Sequence, residues 1–151
     1  MGALLELVVD VAAPAEQTWA AVVAWERQGE WMLGTRVRVT AQEGKGVGGG
    51  IEAFTGLGRW GFLDTMRITA WDPPRRCDVV HTGRVVRGTG SFEVRDRGQG
   101  HSAFVWREDL DLPLGVVGRL GWRLVRPLFA AGVRASLRRL ARWTEAGCPA
   151  R

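Results

Sequence analysis

Between Thr35 and Leu112 the chain reads as six strand-like segments in a row, joined by turns too short to carry any chain crossing. Thr35 to Ala41 sets Arg36 and Arg38 against Val37 and Val39, the period-2 alternation of a half-buried strand. Gly44 to Gly50 makes a glycine-rich turn, and Ile51 to Thr55 follows as a strand. Trp60 to Trp71 is a long strand closed by Asp72-Pro73-Pro74, which no central strand could continue through. Cys77 to Val86, Gly88 to Asp96 and Ser102 to Leu112 complete the run. Parallel neighbours need long crossovers, so such a series pairs antiparallel. A sheet built this way has one apolar face to cover, and only one element is long enough to cover it: the helical stretch from Pro113 to about Ala146.

Ahead of the six strands, Leu4 to Val11 reads as a further strand. A helix opens at Ala12-Ala13-Pro14-Ala15-Glu16, with Pro14 suited to a first helical position and Glu16 to the positive helix end. A shorter helical piece runs from Trp25 to Met32 and ends near Gly34. The prediction is an α+β helix-grip fold: a curved antiparallel sheet of about seven strands around a long C-terminal helix, with two short helices after the first strand. At 151 residues, with neither repeat nor linker, the chain is expected to form one domain over 1–151.

The long helix carries its apolar stripe on Val117, Leu120, Leu124 and Leu128 in the half up to about Pro127, and on Phe129, Val133, Leu137 and Leu140 afterwards. At about 100° per residue the stripe rotates by roughly a quarter turn between the halves. A kink or bulge at Pro127 would produce that shift, letting the first half lid the sheet mouth while the second packs.

Order and motifs together resemble the START-like superfamily, which includes polyketide cyclases/dehydrases, plant pathogenesis-related allergens and lipid-transfer domains. The matching segments are Ala13-Pro14-Ala15-Glu16-Gln17-Thr18-Trp19, Gly46-Val47-Gly48, Ile68-Thr69-Ala70-Trp71-Asp72-Pro73-Pro74, Gly88-Thr89-Gly90-Ser91-Phe92, Phe104-Val105-Trp106 and the helix end Ser136 to Glu145. The resemblance implies a cavity for a hydrophobic small molecule between sheet and helix. It does not decide between a binding protein and a cyclase or dehydratase acting on a polyketide-like substrate.

Alternation on the strands selects the candidate site. Trp60, Phe62, Asp64, Met66 and Ile68 share one face of the long strand; Ser102, Phe104, Trp106, Glu108 and Leu110 share one face of the last. Phe92 and Val94 fit the same side. Trp31, Trp60 and Trp106 are expected as cavity walls, because flat rigid rings suit a planar or polycyclic ligand. Phe62, Met66, Phe92 and Phe104 complete the aromatic and apolar lining, with Leu120 and Leu124 supplied by the helix. Trp19, Trp71 and Trp143 are expected in the core.

Asp64 and Glu108 fall among aromatics, where burial would raise their pKa and prepare either for proton transfer. The competing reading is a carboxylate paired with arginine or placed at the cavity mouth. His81, mid-strand, is either a general base or a histidine satisfied in the core; His101, beside Gly100, belongs to an exposed turn. The chain has no Tyr and no Asn, which removes a phenolic acid and an amide oxyanion donor.

Two histidines without a carboxylate cluster at ligand spacing, and two cysteines far apart, lead us to expect neither metal nor cofactor. The glycine run at 44–50 lacks the Lys-Ser/Thr ending and opens a strand, so it is no phosphate loop. Residues 113–151 hold eight arginines against one glutamate, a net of +7, against an overall +5. Twenty of the twenty-one basic residues are Arg. Coding composition accounts for that bias, and no nucleic-acid motif accompanies it, so no nucleic acid partner is expected. The Arg134, Arg138 and Arg142 face is read as solvated, with contact to an anionic membrane as the lesser alternative. Arg119, Arg123 and Arg126 interrupt the one long apolar stretch too often for a membrane span. No secretory leader is recognised, and a cytoplasmic location with reduced thiols is expected. The sequence is silent on oligomeric state.

Overall fold

The structure, a computed structural model, describes residues 2–149. Its elements are β1 (Ala3–Val11), α1 (Ala15–Val22), a 3-10 turn at Trp25–Glu30, β2 (Thr35–Ala41), a short 3-10 turn at Gln42–Gly44, β3 (Gly50–Leu57), β4 (Trp60–Asp72), β5 (Arg76–Thr82), β6 (Arg87–Gly98), β7 (His101–Leu110) and α2 (Gly115–Glu145). The strands form one seven-stranded sheet in the order β1-β7-β6-β5-β4-β3-β2, every pair antiparallel. The order follows from hairpins joining each successive pair from β2 to β7, with β1 closing the far edge against β7. The helix-grip α+β arrangement expected from the strand series is the one found.

Differences are local. β5 ends at Thr82 rather than Val86, because the β5–β6 register pairs Thr82 with Arg87 and leaves residues 83–86 to the turn. Pro14 stands just before the first helical residue, where its carbonyl accepts the first helix hydrogen bond from Thr18 N–H at 3.0 Å. α2 runs unbroken through Pro127 as one 31-residue helix.

Side chains of one parity on each strand point inward. Leu5, Leu7, Ile51, Ile68, Val79, Phe92 and Phe104 build the core with Trp19, Val22, Trp25 and Trp31 from the segment after β1. Trp25 Nε1–H donates to the Gly44 carbonyl at 2.7 Å, and a Cβ at Gly44, itself at φ +64°, would stand 2.6 Å from the Trp25 ring; only glycine fits both demands. Behind α1, the hydroxyls of Thr18 and Ser102 lie 2.7 Å apart, and Ser102 donates to the Ala13 carbonyl at 2.8 Å. Trp19 is buried and meets half-buried Trp71 edge-on at 5.3 Å. Trp143, half-buried, carries the Arg27 guanidinium over its ring.

The two halves of α2 behave differently. Val133, Leu137, Leu140 and Thr144 of the second half are buried, and Arg134, Arg138 and Arg142 face solvent. In the first half no residue from Gly115 to Leu128 is buried; Trp122 packs on Phe129 of the same helix (ring centroids 5.7 Å), and Phe129 meets Trp106 of the sheet (6.3 Å). Among the described residues no helix is long and apolar enough to cross a membrane.

Candidate functional site

On the inward face of the sheet three ionisable side chains meet. The His81 ring, on β5, donates from Nδ1 to both carboxylate oxygens of Asp64 on β4, each at 2.9 Å, and its Nε2 lies 2.8 Å from Oε2 of Glu108 on β7. Asp64 arrives from the neighbouring strand, two residues before Met66, the register partner of His81. Glu108 has to cross a strand, since β6 lies between β5 and β7. The crossing is open because the inward positions of β6 opposite His81 and Glu108 are Gly88 and Gly90. A Cβ at Gly90 would stand 2.9 and 3.0 Å from the two Glu108 carboxylate oxygens and 3.1 Å from Val79. Gly90→Ala is therefore expected to push Glu108 off His81 and cost about 1–3 kcal/mol, measured by urea unfolding.

The surroundings set the charge. Burial opposes an imidazolium at His81, but the hydrogen bonds and charges of Asp64 and Glu108 outweigh it and raise the pKa of the ring to about 10. Burial pushes the Glu108 carboxyl upward, and His81 pulls it back. The Trp106 indole N–H lies towards Glu108 and favours its charged form, yet its Nε1 is buried with no hydrogen bond of its own. Of the three side chains His81 is 3% exposed, Glu108 6% and Asp64 14%, so Asp64 is the most accessible member. With both ring nitrogens engaged by carboxylates, His81 has no lone pair free to act as a base.

The other expected site residues divide into four groups. Trp60 (77% exposed) and Phe62 (40%) stand on the free end of β4, and Met66 is half-buried beside His81. Trp106 is buried between Glu108 and Phe129. Trp31, Phe92 and Phe104 sit deeper: Trp31 is 1% exposed, and Phe92 and Phe104 stack at 6.3 Å with their planes 5° apart, backing the site from the core. Leu120 and Leu124 are not brought to it. They stand nine and five residues from Phe129, whose ring meets Trp106 of β7, and so about 180° and 140° away from it around the helix axis; both are exposed. Because α2 continues unbroken through Pro127, its stripe in the first half turns outward instead of being re-aimed over the sheet.

Trp122 and Phe129 form the helix side of the site, and sequence reading missed Trp122. Gly88 and Gly90 were also missed as site determinants; glycine within a strand signals close approach of another group. His101 is exposed and its Nδ1–H donates to the Gln99 carbonyl at 3.0 Å. A surface cleft of about 520 Å³ between α1 and the end of α2, lined by Gln17, Ala24, Arg27 and Trp143, contains none of these residues.

Comparison with known proteins agrees with this architecture. An aromatase/cyclase from Streptomyces sp. R1128 superposes with a TM-score of 0.80 over 99% of this chain and 98% of its own, at 16% identity. A protein from Thermus thermophilus gives the same TM-score and identity over 97% of this chain and all of its own. A START superfamily protein from Mycobacterium smegmatis follows at 0.68, with 15% identity and 96% of each chain covered. At such identities the likeness shows the fold alone. No curated protein sequence matches the chain. The profile of the family described as polyketide cyclase/dehydrase and lipid transport, however, matches residues 3–145, nearly the whole length, and the chain belongs to that family.

Proposed function

We propose that this protein binds a flat hydrophobic small molecule carrying a hydrogen-bond donor, on the inward sheet face between β4 and the Trp122–Phe129 side of α2. The observation that carries the reading is the Asp64–His81–Glu108 cluster buried on an otherwise apolar face. Ion clusters in such surroundings are costly to maintain and concentrate at functional sites. Phe62, Met66 and Trp106 would supply the apolar walls, and Asp64 would accept a hydrogen bond from the ligand.

A cyclase or dehydratase is the second reading, favoured by the family and by the hydrogen-bonded continuity from Asp64 to Glu108. In it Asp64 takes a proton from an acidic C–H or O–H of the substrate, while His81 holds the carboxylate oriented.

Binding of naphthalene and 2-naphthol tests the common core of both readings. 2-Naphthol should bind more tightly than naphthalene, and Asp64→Asn should weaken it about tenfold, the worth of one charge-assisted hydrogen bond. Equal affinity for the two probes, or an Asp64→Asn protein that binds 2-naphthol unchanged, would sink the proposal. Native mass spectrometry of the purified protein complements the probe by looking for a retained small molecule.

A further inference from the structure

The large apolar side chains left exposed are segregated. Apart from Leu4, Val8, Leu33 and Val47, every one among the described residues lies at a single end of the sheet or on the helix half that starts there. That end gathers the β3–β4 hairpin, with Leu57 85% and Trp60 77% exposed, the β5–β6 turn with Val85, and the chain leaving β7 at Leu114. From it the first half of α2 presents Val116, Val117, Leu120, Leu124, Val125 and Leu128. At about 100° per residue these six fill roughly one half of the helix circumference, turned away from Phe129, whose ring meets Trp106 of the sheet. The stripe is therefore separate from the ligand site proposed above.

Charge selects what could cover it. Arg123 borders the stripe, with Arg119 and Arg126 further round towards the core-facing side, and Arg59, Arg84 and Arg87 are exposed on the hairpins of the same end, against Asp109 and Asp111. No acidic residue occurs between 112 and 144. A second copy docked helix to helix would bring arginine rows together with no carboxylate from the first half of α2 opposite them. A half-apolar helix edged with arginine, beside a protruding Leu57-Gly58-Arg59-Trp60 tip, instead fits the boundary of an anionic bilayer: leucines reach the acyl region, tryptophan sits at headgroup level and arginines meet lipid phosphates.

We infer that this protein docks on anionic membrane surfaces through the outward stripe of the first half of α2 and the tip of the β3–β4 hairpin. The full chain should sediment with vesicles of equal parts phosphatidylglycerol and phosphatidylcholine, not with phosphatidylcholine alone, and binding should fall as salt is raised. Leu124→Glu with Leu128→Glu should reduce binding at least about tenfold. Arg59→Gln and Arg123→Gln should each reduce it roughly fivefold. Both leucines are exposed, so thermal melts of the variants should match the parent. Absence of sedimentation with the anionic vesicles, equal binding to both vesicle types, or unchanged binding of the leucine variant would overturn the inference. So would a dimeric mass by light scattering that Leu124→Glu converts to a monomer, which would assign the stripe to a second copy.

Discussion

His81→Leu should lower the unfolding free energy by about 3 kcal/mol, whereas replacing Asp64, His81 and Glu108 together by leucine should restore most of the loss. The single change leaves two carboxylates on the inward face with their shared cation gone. Breaking a buried ion pair on one side costs about 3–5 kcal/mol, because the remaining charge has been desolvated without compensation. Protonation of Glu108, already favoured by its burial, absorbs part of that cost and places the expectation at the lower end. The triple variant removes every charge, and leucine matches the bulk of the groups it replaces, so desolvation no longer opposes folding. Urea unfolding decides the matter. A His81→Leu protein as stable as the parent would mean that the cluster carries no buried charge to strand; a triple variant weaker than the single one would mean that its shape, rather than its ions, holds the sheet end together.

The cluster also marks how far the sequence could be read. Asp64, His81 and Glu108 each lie in a strand with plain period-2 alternation, so the inward direction of Asp64 and Glu108 followed from counting along β4 and β7. Their meeting with His81 did not. It depends on cross-strand register, which no single strand encodes: Asp64 pairs across β3–β4 with Ala53, and reaches His81 only because that residue stands opposite Met66. The bridge to Glu108 skips a strand altogether and relies on the side chains that Gly88 and Gly90 lack. The fold was more legible because its determinants are local. Short turns between β-periodic segments enforce antiparallel order, and a single long helix is the only cover available. The first half of that helix misled the reading, since an apolar stripe was assumed to face the sheet. The phase of an unbroken helix is set by its packed end. With Val133, Leu137 and Leu140 facing the core, Leu120 and Leu124 are carried to the outside.

Stability should fall steadily as pH rises from about 6.5 towards 10, and the fall should be absent when Asp64, His81 and Glu108 are all replaced by leucine. The folded protein holds the His81 proton up to about 10, against 6.5 for an unperturbed imidazole. Below 6.5 the ring is charged whether the chain is folded or not, and its contribution is complete. Above 6.5 the unfolded chain releases the proton while the folded one keeps it, so each pH unit removes up to about 1.4 kcal/mol until the folded site titrates as well. Glu108, whose folded pKa is also raised, acts with the same sign from its ordinary 4.5 upwards, which puts the optimum on the acidic side of neutrality. Cys77 adds to the loss only at the alkaline end: burial pushes its thiol up to about 12, so above an ordinary thiol pKa of 9.0 the unfolded chain gains by ionising. Cys77→Ala removes that contribution, and the two sources separate cleanly between pH 6.5 and 9. Urea midpoints across that window should decline in the parent and in Cys77→Ala alike, and stay nearly level in the triple leucine variant. A parent protein whose midpoint is flat from pH 6.5 to 9 would show that His81 is not held as an imidazolium between the two carboxylates.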